Sequence, residues 1–174
     1  MEFQIKDALK LLEQTPATIS LLLKNLPEKF ITQNEGGDSW SPFDVVGHLI
    51  HGEETDWITR TKFILEYGTS KVFENFDRFA QFERFQGKSL AELLEMFAVS
   101  RKKNLDELKR LNLSYDQLQL KGIHPAFKHV SIKQILSAWV VHDFNHIYQI
   151  SRVIAKHYDQ EVGPFKKYIS ILNK

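Results

Sequence analysis

His142 and His146 lie four residues apart in Ala138-Trp139-Val140-Val141-His142-Asp143-Phe144-Asn145-His146-Ile147-Tyr148-Gln149-Ile150, a run whose other residues are mostly apolar. On a helix, positions i and i+4 share one face about one turn (roughly 6 Å of rise) apart, so two ring nitrogens can converge on one ion. Two ligands bind weakly, and His48, in the helix-like segment Ser41-Pro42-Phe43-Asp44-Val45-Val46-Gly47-His48-Leu49-Ile50-His51, is the candidate third. Three histidines on two helices with one coordination position open make a catalytic type of metal site. Taken singly, each histidine has a simpler reading as a hydrogen-bonded core residue. The pair weighs against it, because two imidazoles buried in an apolar helix each need a partner and one cation serves both.

His48 shares a stripe with Gly52, Thr55 and Thr59, whereas His51 is rotated about 60° from it and is the weaker candidate, suited to the pocket mouth or to a supporting contact. His124 and His129 fall in a loop, and His157 falls where it complements a helix C-terminus. Gln149, three residues past His146, is placed to reach the same cavity, while Asp143 points away, toward Arg152 or another helix. Gly47 and Gly52 inside a helix each cost about 1 kcal/mol relative to Ala. Either a close helix neighbour or room for a ligand offsets that cost.

Four long segments must position these side chains. The first spans about 3–25, with a kink or restart expected where Thr15 can cap and Pro16 can open a helix. Ser41 as N-cap, Pro42 behind it and Asp44 in the first turn start a second helix, expected to run to about Tyr67 and stop at Gly68. Ser89 with Glu92 forms a capping box for the third, through about Leu111, and Ser131 with Gln134 opens the fourth, through about His157. Phe73, Phe76, Phe79, Phe82 and Phe85 recur every third residue in the irregular segment 69–87, which reads as an aromatic flap or short helix packed on the bundle. No alternating strand pattern stands out, Gly163-Pro164 precedes a short amphipathic tail, and the links 69–87 and 112–130 are long enough for crossovers. The fold class expected is all-α, one four-helix bundle domain over residues 1–174 with a short C-terminal helix.

Composition narrows the functions. With 23 Lys+Arg against 22 Asp+Glu the formal charge is +1, and the one basic run, Arg101-Lys102-Lys103, fits a solvated helix face, so nucleic acid is not an expected partner. No apolar run approaches the ~20 residues of a membrane span, and Met1-Glu2-Phe3-Gln4-Ile5-Lys6-Asp7 lacks signal-peptide character, which places the expected location in the cytoplasm. The chain has no Cys. That excludes disulfides, thiolate-ligated metal and a cysteine nucleophile, so any thiol chemistry needs a thiol brought by a ligand. No nucleophile–base signature, phosphate-cradling glycine loop or dinucleotide fingerprint is present.

The run Trp40-Ser41-Pro42-Phe43-Asp44-Val45-Val46-Gly47-His48-Leu49-Ile50-His51-Gly52-Glu53, with 141–153 and the closing Val162-Gly163-Pro164-Phe165, resembles the DinB-like superfamily across essentially the whole chain. The similarity is to its small bacterial branch, related to YfiT-like metalloenzymes and bacillithiol or mycothiol transferases. That resemblance implies up-down-down-up connectivity, frequent homodimerisation, and a divalent ion, zinc or nickel, on three histidines that match His48, His142 and His146. The activity expected is metal-dependent chemistry on a small-molecule substrate. The open position would activate either a low-molecular-weight thiol, giving a transferase, or water, giving a hydrolase. Two rival readings stay open: a metal that only rigidifies or senses within a homodimer, and three core histidines without an ion.

Overall fold

Three of the long helices begin where serine side chains can replace missing backbone acceptors, whereas the first starts at Gln4 without a side-chain cap. In a computed structural model, which describes residues 2–173, reciprocal capping boxes open helices at Ser41/Asp44, Ser89/Glu92, Ser114/Gln117 and Ser131/Gln134. The helices are α1 (Ile5–Leu23), α2 (Lys29–Thr32), α3 (Pro42–Thr55), α4 (Trp57–Tyr67), α5 (Gln81–Arg84), α6 (Leu90–Leu111), α7 (Tyr115–Gln119) and α8 (Ile132–Lys156). A hairpin of β1 (Lys121–His124) and β2 (Lys128–Ser131) precedes α8, and 3₁₀ turns at Gly163–Tyr168 and Ser170–Leu172 form the tail, with Leu172 buried.

Two apolar clusters, one at each end of the bundle, give the helix directions. α1 runs from Leu12 in the first cluster to Ile19 and Leu23 in the second, and α8 runs the same way, from Ile132, Leu136 and Trp139 to Ile150. The other pair runs oppositely: α3 and α4 pass from Val46 and Leu49 to Trp57 and Ile64, and α6 passes from Leu93 and Phe97 to Leu105 and Leu108. In chain order this is up-down-down-up, with the first and last long helices parallel.

The restart expected at Thr15-Pro16 and the single helix expected over 41–67 are both overturned. α1 continues unbroken through Pro16. Proline deprives the carbonyl four residues back of its donor, and that carbonyl, Leu12 O, instead accepts from Arg101 Nη1 at 2.8 Å, while Thr15 spends its hydroxyl on Asp143 Oδ2 at 2.6 Å and caps nothing. The helix expected over 41–67 breaks at Asp56 (φ −112°, ψ −84°). Thr55 back-bonds to His51 O at 2.8 Å, a contact that bends helices, and Asp56 pairs with Arg60 at 2.9 Å. The break swings the Trp57 ring over Gly52, where a Cβ would stand 3.3 Å from Trp57 Nε1.

The link 112–130 holds the hairpin, which the sequence reading missed. Its strands have four residues each, too short to display a two-residue period. The turn closes on His124, whose Nδ1 accepts from the N–H groups of Ala126 (3.0 Å) and Phe127 (3.3 Å), with Lys128 left-handed at φ 61°. Phe73 N–H donates to Ile123 O at 2.9 Å, which pins the 69–87 segment to the hairpin. Along that segment Phe73 and Phe85 are buried while Phe79 and Phe82 are exposed, so the segment is an irregular strap containing one short helix.

Candidate metal centre

His48 comes from the middle of α3 and His142 and His146 from α8, and their Nε2 atoms meet. His142 Nε2 lies 3.1 Å from His48 Nε2 and 3.0 Å from His146 Nε2, and all three donors fall within 4.8 Å of one another. Tetrahedral nitrogen ligands at about 2.0–2.1 Å from zinc stand roughly 3.3 Å apart, close to the two contacts. His48 and His146 are buried and His142 is half-buried.

Burial first, and then the neighbouring charges of the cluster, lower the pKa of His48 to about 3 and of His142 to about 2; burial also lowers that of His146. All three rings are therefore neutral at pH 7, the form that ligates metal. Gln149 Oε1 lies 2.8 Å from His146 Nδ1. As an acceptor there it assigns the proton to Nδ1 and aims the Nε2 lone pair inward. The Nδ1 atoms of His48 and His142 have no hydrogen-bond partner among the described residues. Convergent lone pairs on neutral rings are a donor set suited to a cation and unfavourable without one. The residues therefore fit a divalent ion.

His51 is buried but stands apart from the trio, its ring against Phe76 at 4.9 Å. His124 closes the hairpin turn at the pocket wall, His129 is exposed, and His157 ends α8 against Phe30 at 4.6 Å. Close approach of neighbouring side chains meets both helix glycines. A Cβ on Gly47 would come within 3.0 Å of Phe85 and 3.1 Å of Gln81, which is close approach of the strap, whereas Gly52 lines the cavity beneath Trp57.

That cavity, about 840 Å³, opens beside the trio between α3, α8 and the hairpin, with Trp40, Trp57, Phe76 and Phe127 among its walls. Trp40 tilts over His48 at 4.8 Å and lies nearly parallel to His146 at 6.5 Å. One side of the nitrogen cluster thus faces a space large enough for a small molecule.

Beneath the histidines lies a charged group that the sequence reading placed in solvent. Arg101 is 1% exposed and forks onto Asp143 (2.6 and 2.9 Å) and Glu53 (2.8 and 3.0 Å). Glu53 also accepts from Trp139 Nε1 at 3.0 Å and Asn104 Nδ2 at 2.9 Å. Arg152, offered earlier as a partner for Asp143, pairs with Glu35 at 2.6 Å instead. The available signal was the row Leu93, Phe97, Arg101, Leu105, whose four-residue step puts Arg101 on the apolar face while Lys102 and Lys103 turn outward. Burial pushes the Glu53 pKa up, and its hydrogen bonds and Arg101 pull the other way. This network ties α1, α3, α6 and α8 together next to His142 and five residues beyond His48, and so fixes the two ligand-bearing helices relative to each other.

The sequence profile of the DinB superfamily matches residues 11–150, a span that contains all three histidines. The chain belongs to the DinB superfamily. Among solved structures, it is similar to YfiT from Bacillus subtilis, described as a probable metal-dependent hydrolase with an unusual four-helix bundle topology. The TM-score is 0.74 at 18% identity, covering 87% of this chain and 86% of that one. No protein with a curated description matches. The up-down-down-up order of this superfamily member therefore has a counterpart in a solved bundle.

Proposed function

We propose that this DinB superfamily protein is a metal-dependent enzyme acting on a small molecule, with His48, His142 and His146 holding a divalent ion, zinc or nickel. The observation that carries the reading is the convergence of three neutral imidazole nitrogens on the wall of an open cavity of about 840 Å³. A structural ion is enclosed by protein ligands, whereas a catalytic one keeps a position for water or substrate. When bound, such an ion lowers the pKa of a ligand water from 15.7 to about 7, or holds a low-molecular-weight thiol as its thiolate. Around it the chain's own residues divide the work. Gln149 holds His146 in the ligating tautomer, the Arg101 network keeps α3 and α8 in register, and Trp40, Trp57 and Phe76 shape a dry wall against which substrate is oriented.

The description of YfiT favours hydrolysis; the thiol branch rests on the resemblance to thiol transferases, and with no cysteine in this chain its thiol would have to come from a ligand. One panel separates them. Ion-loaded protein is assayed against ester and amide substrates, and against electrophiles with and without added thiol, beside protein stripped by chelator. Ion-dependent turnover with water alone supports hydrolysis, and turnover that requires thiol supports transfer. A fully loaded protein inert in both arms favours the rival, an ion that only stabilises or senses. Val141 and Phe144 leave an apolar strip of α8 exposed, which supports a homodimer through that face.

A further inference from the structure

Three arginines line the cavity beside the histidines, and two of them are engaged. Arg60 Nε lies 2.9 Å from Asp56 Oδ1, and Arg152 Nη2 lies 2.6 Å from Glu35 Oε2. Arg78 differs, since no ion pair to a carboxylate is formed by it among the described residues. Its guanidinium rests over the rings of Trp40 (5.5 Å to the centroid) and Phe79 (5.3 Å). The same Trp40 ring lies 4.8 Å from His48 and nearly parallel to His146 at 6.5 Å. One indole therefore contacts both the guanidinium and the histidine rings.

We infer that Arg78 is the substrate-recognition residue of this cavity, where it binds a carboxylate of a small-molecule substrate whose reacting group lies at the His48, His142 and His146 nitrogens. The inference rests on the metal-centre reading and adds to it the class of substrate, a monoanionic carboxylic acid with a short apolar spacer. A planar guanidinium meets a carboxylate through two parallel N–H···O bonds. Stacking on Trp40 and Phe79 holds the fork in place, so little side-chain freedom is lost on binding. The pairs Arg60–Asp56 and Arg152–Glu35 occupy two of the three lining arginines, which leaves Arg78 as the guanidinium without a carboxylate partner; Asp38 also lines the wall without an ion pair among the described residues and disfavours more than one anionic group on the ligand. Trp40 and Phe76 then flank the spacer between the two ends.

The test uses the full chain loaded with zinc and two probes of near-equal shape, 3-mercaptopropionate and 3-mercapto-1-propanol, titrated calorimetrically. Wild-type protein should bind the carboxylate about tenfold more tightly than the alcohol, the scale of a charge-assisted hydrogen-bonded pair. In Arg78→Gln that preference should fall to within about twofold while zinc stoichiometry is unchanged, and Arg78→Lys should lie between. Arg78 is exposed, so these variants keep the fold, which thermal melts verify. The inference is overturned if wild type shows no preference, if it binds neither probe, or if Arg78→Gln retains the full preference. Zinc stoichiometry scores the metal reading separately. Should the chain take up no ion, the same carboxylate-against-alcohol comparison on the ion-free protein still decides the role of Arg78.

Discussion

At the scale of single residues, the centre depends on neutrality and aim. The three imidazoles are uncharged because burial disfavours their protonated forms, and His146 is aimed because Gln149 Oε1 accepts a hydrogen bond from its Nδ1–H. Gln149→Leu removes that acceptor without removing a ligand, and its ion affinity, measured by chelator competition, should drop by about 10- to 100-fold. Unchanged affinity would mean that Gln149 does not orient the ring. Depressed pKa values also act on stability. For ion-free protein the unfolded chain takes up protons near pH 6.5, whereas folded His48 and His142 resist until about 3 and 2. The unfolded state thus binds more protons in that window, so the triad's contribution is intact above pH 6.5 and is lost progressively as pH falls below it. Melting temperatures of chelator-treated protein between pH 7 and 4 should fall more steeply for wild type than for His48→Gln; equal slopes would refute this.

At the scale of elements, the site is held by one buried guanidinium. Arg101→Ala leaves Glu53 and Asp143 buried without their counter-charge and should cost about 3–5 kcal/mol in denaturant unfolding, whereas Arg101→Met, which fills the space, still strands the two carboxylates. A loss below 1 kcal/mol would show that the network contributes little. Gly47→Ala presses a methyl group onto Phe85 and Gln81 and should cost about 1–3 kcal/mol by overpacking.

The same elements show what a sequence can convey. Helix starts at Ser41, Ser89 and Ser131 were legible because capping is written in adjacent residues, and His142, His146 and Gln149 were legible because one helical turn has a fixed spacing. The unbroken passage through Pro16 and the carboxylate partners of buried Arg101 depend on residues 40 or more away, such as Arg101 on Leu12 O, Asp143 on Thr15 and Glu53 on Arg101. Local rules do not reach that far. The hairpin stayed hidden because its pairing is closed by a histidine side chain and by Phe73 of a distant strap.

At the scale of the whole molecule, the parallel first and last helices set α3 and α8 side by side in the superfamily's bundle and leave a cavity flanked by the aromatic strap and the hairpin. No helix among the described residues is long and apolar enough to cross a membrane. Light scattering should return twice the 20.4 kDa chain mass, and Phe144→Glu on the exposed face of α8 should return it to one; a monomeric wild type would remove the dimer.

The central claim is that His48, His142 and His146 together hold one divalent ion, and elemental analysis of tag-free protein tests it directly. Wild type should carry close to one equivalent of zinc or nickel after dialysis, and His142→Ala should carry almost none while keeping its helical spectrum. An ion retained at full stoichiometry and affinity by His142→Ala, or no ion bound by wild type even after incubation with either metal, would contradict the account.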